Sequence, residues 1–135
     1  MAETWYSQLE STIFTIIQYN LKVKPEAKYP SLKCTTALRT EVPSEFPTLY
    51  LHELSPLERG QDMENDYINS ILYTVEIQVF SNKSETEVKN IMSTVIAEMK
   101  KLRFSVLLFP DAITNNKVSS AVARFRRTIS KDDVL

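Results

Sequence analysis

The chain is short of the residues on which most small-domain chemistry depends. Of its 135 residues one is glycine, one cysteine, one histidine and one tryptophan. With Gly60 the only glycine, phosphate-cradling glycine loops and glycine-hinged lids are excluded, because no other residue adopts their backbone conformations so cheaply. Cys34 alone excludes an internal disulfide and any multi-cysteine metal site, and it fits a reducing compartment. No apolar run approaches the roughly 20 residues needed to span a bilayer, and the N-terminus lacks a basic-then-apolar signal pattern. The expectation is a cytoplasmic protein without a membrane partner. His52 reads as a strand histidine on a polar face. A Cys34–His52 pair is the one arrangement that offers a nucleophile, and neither residue lies in a recognisable motif. The acids of the 58–66 segment lack the glycine spacing and closing glutamate of an EF-hand. The chain is therefore expected to be no enzyme and to carry no cofactor and no metal.

What the sequence does carry is clearest from Ile71 to Leu102. Ile71, Tyr73, Val75, Ile77 and Val79 alternate with Leu72, Thr74, Glu76, Gln78 and Phe80, the period of a strand with one face in a core. Ser84 and Glu87 stand at capping-box spacing, which predicts that each side chain bonds the other's amide. Val88, Ile91, Met92, Val95, Met99 and Leu102 then recur at steps of three and four, one buried helical stripe.

Similar reasoning extends along the chain. Trp5, Leu9, Ile13, Ile16, Ile17 and Leu21 predict a helix from Glu3 to Asn20 or Lys22, ended by Pro25 and Pro30. A short strand is expected within 32–38 and a second over 48–54. Residues 55–66, with Pro56, Gly60 and several acids, read as a long hairpin loop or an extension. Strands follow over 104–109 and 118–129, separated by a turn region at 110–116, and 129–135 reads as a loose tail. A chain of 135 residues is one domain, spanning 1–135. Two amphipathic helices and sequential strands predict an α+β fold: a two-layer sandwich with a mainly antiparallel sheet of about four strands and both helices on one face. Its other face, with Thr74, Glu76, Gln78, Arg124 and Arg126, is half polar and calls for water or a partner.

Charge is unevenly placed despite a net value of −1. From Glu41 to Tyr67 there are seven acids and one base; from Lys83 to Leu135 there are ten bases and six acids. Either both surfaces are solvated, or they face one another between neighbouring copies. The run Ala123-Arg124-Phe125-Arg126-Arg127 sets bases beside an aromatic, as RNA-binding sheets do. A single aromatic and a pI near 5.9 argue instead for a contact between proteins.

The segments 46–54 (FPTLYLHEL), 60–65 (GQDMEN), 73–82 (YTVEIQVFSN) and 123–127 (ARFRR), with the chain length and the order of elements, resemble the tail terminator, or tail completion, family of tailed bacteriophages and phage-derived particles. The resemblance covers nearly the whole chain. It implies a structural protein forming a homo-oligomeric ring, usually of six copies, that caps the head-proximal end of the tail tube. Such a ring stops tube polymerisation and docks the head or neck. The implied partners are the tube protein, the head or neck connector and, in a contractile tail, the sheath protein, with nucleic acid at most passing through the ring. The implied location is the bacterial host cytoplasm during assembly, then the finished particle. The expected subunit contacts fall on Glu53, Leu57, Glu58, Arg59, Asp62, Met63, Glu64, Asp66 and Tyr67 on one side. Arg124, Arg126 and Arg127 form the other side. A head-completion or neck connector protein and, in another class, a small nucleic-acid-binding α+β module are the alternatives.

Overall fold

The computed structural model describes residues 5–36, 45–61, 68–108 and 111–130. The elements are a 3₁₀ turn at Trp5–Gln8, helix α1 (Leu9–Gln18) running into a π turn at Tyr19–Val23, and strands β1 (Lys33–Thr35), β2 (Thr48–Gln61) and β3 (Ile68–Ser81). Helix α2 (Glu85–Lys101) and strands β4 (Ser105–Leu108), β5 (Ile113–Asn115) and β6 (Val118–Ser130) complete the order. The fold is α+β, and the sheet has six strands rather than about four, in the order β1-β2-β3-β6-β4 with β5 also paired to β6. It is mostly antiparallel; β1 alone runs parallel to its neighbour β2.

The sheet face read from β3 is the core face. Tyr73, Val75, Ile77 and Val79 are fully buried there, with Leu49, Leu51, Ala123 and Phe125 from the flanking strands. Against it lie Leu9, Ile13, Ile17 and Leu21, and Val88, Ile91, Met92, Val95 and Met99, one stripe from each helical segment. The β-branched run of the first helix lowers its intrinsic helicity, so this packing holds it.

Several expectations change in the structure. Of the two readings of this segment, residues 55–61 take the extension rather than the loop: they are the second half of β2, so β2 and β3 form a hairpin of two 14-residue strands. The turn signals misled because the ladder absorbs them: the register slips by one residue between Leu54 and Leu57, and Pro56, without an N–H to pair, falls at that slip. The turn region at 110–116 contains β5, joined to β6 by Asn116 and Lys117, both with positive φ (52° and 68°). Two such residues make the tight hairpin turn whose twist suits the strands.

Ser84 caps α2 as expected, accepting the Glu87 amide at 3.1 Å. The reciprocal half of the box is different: the Glu87 carboxylate accepts from the Ser81 hydroxyl at 2.6 Å. Ser81 is fully buried at the end of β3 and needs that acceptor more than the Ser84 amide does. At the other end, Arg103 N–H donates to Lys100 O (2.9 Å) and Phe104 N–H to Met99 O (3.0 Å). That pattern is a Schellman cap with Arg103 in the left-handed position (φ 68°), normally a glycine's. The strand β6 runs one residue further than expected, and 131–135 lie outside the described residues.

Candidate functional site

The helices cover one sheet face and leave the other without a layer among the described residues. On that open face three residues line up across β2, β3 and β6, because His52 pairs with Glu76 and Glu76 with Arg124. Arg124 Nε donates to Glu76 Oε2 at 2.8 Å, and His52 Nε2 stands 3.6 Å from Glu76 Oε1. Tyr50, itself buried, meets the His52 ring edge-on with centroids 4.9 Å apart. His52 Nδ1 is buried without a hydrogen-bond partner among the described residues. Burial, with the Glu10 and Glu76 carboxylates nearby, holds the Tyr50 phenol above its ordinary range. The row is a structural cross-strand contact that partly neutralises Arg124 within its own chain.

The three arginines expected at the interface thus have different settings. Arg127 turns to the helical side and donates to the Leu102 carbonyl at 3.0 Å, closing the end of α2. Arg126 is exposed and makes no hydrogen bond or ion pair with a described residue. Phe125, between them, is fully buried and offers no ring to a nucleic-acid base.

On the acidic side, the Glu53 carboxylate accepts from the Tyr73 hydroxyl at 2.7 Å, while Glu53 N–H donates to Glu10 Oε2 at 2.9 Å. Burial, first, and this carboxylate, second, push the Tyr73 phenol far above its usual range. Leu57, Glu58 and Arg59 lie on β2 opposite Leu72, Ile71 and Ser70. Asp62, Met63, Glu64, Asp66 and Tyr67 fall outside the described residues, in the six-residue link from Gln61 to Ile68. The arginines sit on two faces of the sheet, Arg124 and Arg126 on the open face and Arg127 on the helical one.

Cys34 and His52 do not form a pair. Cys34 is in register with the core residue Leu49 and packs against the core, whereas His52 is on the opposite face. Burial pushes the Cys34 thiol up to about 11, with Lys22 pulling weakly the other way. No group of three or more His, Cys, Asp or Glu side chains able to hold a metal occurs among the described residues. Among them, too, no helix is long and apolar enough to cross a membrane.

A second surface has no signal in the linear sequence. Between α2 and the chain segment 20–28 lies an open groove of about 450 Å³, lined by Asn20, Lys24, Glu26, Lys28, Ser93, Thr94, Ala97, Glu98 and Lys101. Glu98 is buried, and both its oxygens are engaged, by Asn20 Nδ2 (3.1 Å) and Lys101 Nζ (3.3 Å). The groove unites residues some seventy positions apart, so no charge run or spacing announced it.

Compared with models of known protein families, the sequence matches none, and a comparison with curated proteins likewise gives no match.

Proposed function

We propose that this protein is a structural assembly subunit that forms a closed ring and caps the head-proximal end of a phage-type tail tube, ending its polymerisation and docking the head or neck. The observation that carries the reading is the placement of unlike surfaces on one small domain. The link between β2 and β3 is acid-rich in sequence, and exposed cations lie elsewhere on the molecule. A ring requires such heterologous contacts, in which one patch meets a different patch of the next copy. The segment resemblances and the order of elements support the more specific reading of a tail terminator. The charges contribute register and encounter rate; apolar contacts, with Leu57, Met63 and Tyr67 as candidates, contribute the affinity.

Native mass measurement of the purified protein at low salt tests this reading. A single closed species, six chains on the family pattern, is the expected result. A monomer at every concentration, or an open series of polymers, contradicts it.

A further inference from the structure

We propose that the groove between α2 and residues 20–28 receives the acidic hairpin end of a neighbouring copy, residues 62–66. This rests on the ring reading above and specifies which surface of the next subunit the hairpin meets.

The groove has the right charge. It is lined by Lys24, Lys28 and Lys101 against Glu26 and Glu98, a net positive lining. Within the groove, Glu98 is already satisfied by Asn20 and Lys101. Lys24 and Lys28 form no ion pair with a described residue, so their ammonium groups are available. Ser93 adds a hydroxyl along the wall, while the Thr94 hydroxyl donates to Asn90 O and the Asn20 amide to Glu98. The incoming segment, Asp62-Met63-Glu64-Asn65-Asp66, has three carboxylates and no base.

Geometry favours a neighbour's hairpin over the chain's own. The last turn of α2 sits level with Arg127, whose guanidinium bonds Leu102 O, and Arg127 pairs with Tyr73. From Tyr73 the hairpin continues five residues to Ile68, roughly 17 Å at strand rise, past the end of the helix that forms the groove. Gln61 and Ile68, the last described residues of the hairpin, thus lie beyond that helix. The arginine strand is the weaker receiver, because Arg124 and Arg127 are engaged within the chain.

The test compares two charge reversals in the full chain by native mass measurement at low salt, with circular dichroism melts to confirm folding. Lys24→Glu with Lys28→Glu is expected to dissociate the ring to monomer, weakening association at least tenfold. Adding Asp62→Lys, Glu64→Lys and Asp66→Lys to that variant restores the ring. Arg124→Glu with Arg126→Glu leaves it intact. The milder pair Lys24→Gln and Lys28→Gln, which preserves side-chain bulk, shifts the equilibrium in the same direction. Rings of unchanged stability in both lysine variants would overturn the groove while leaving the ring reading standing. A wild-type protein that is monomeric throughout removes the ring reading itself.

Discussion

A half-buried cysteine and a buried tyrosine make the environment of the core measurable from outside. Cys34, with its thiol pushed from 9.0 to about 11, has on the order of 100-fold less thiolate near neutrality than an unshifted cysteine. Alkylation of the native protein at pH 7.5 should be slower by about that factor and should recover on denaturation; labelling at the denatured rate contradicts the burial. Tyr73 acts in the same direction at higher pH. Its phenol is neutral when folded and its ordinary value is 10.0, so its contribution is complete below pH 10 and is lost as the unfolded chain ionises first. Stability should therefore fall above pH 10, by up to about 1.4 kcal/mol per pH unit for this group. Tyr73→Phe should flatten that slope in urea titrations at pH 9.5 and 11, while costing about 1–2 kcal/mol at neutral pH through the lost bond to Glu53. An unchanged slope would place the hydroxyl in water.

The elements divide by how their signals are encoded. Strand β3 and helix α2 were legible because each repeats its own period over many turns, and both apolar faces are buried as read. The second half of β2 was not, because Pro56 and Gly60 are turn residues locally and the bulge that accommodates Pro56 depends on the partner strand. The parallel pairing of β1 with β2 and the placing of β6 beside β3 are likewise set by packing, not by local pattern. The caps of α2 are local again and give two tests. Ser84→Ala removes the bond to the Glu87 amide and should cost about 1 kcal/mol in a denaturant melt; no loss would move the helix start. Arg103→Gly relieves a side chain from a left-handed backbone and should stabilise by about 1 kcal/mol. A destabilised Arg103→Gly protein would mean that the side chain contributes more than its backbone costs.

At the scale of the molecule, the two surfaces of the proposed contact were legible to different degrees. The acid excess of the hairpin stands in the sequence, whereas the lysine groove exists only once the 20–28 segment lies against α2. The arginine strand was visible, but its in-chain partners, Glu76 and the Leu102 carbonyl, were not, since both are far away in sequence. Under the proposed ring reading, the function lies in how surfaces are distributed rather than in local chemistry. The most direct measurement is to locate this protein on particles from its source by gold-labelled antibody and electron microscopy. Label confined to the head-proximal end of tails, headless tails included, is the predicted result. Label elsewhere on the particles, or particles that carry none, would contradict the assignment.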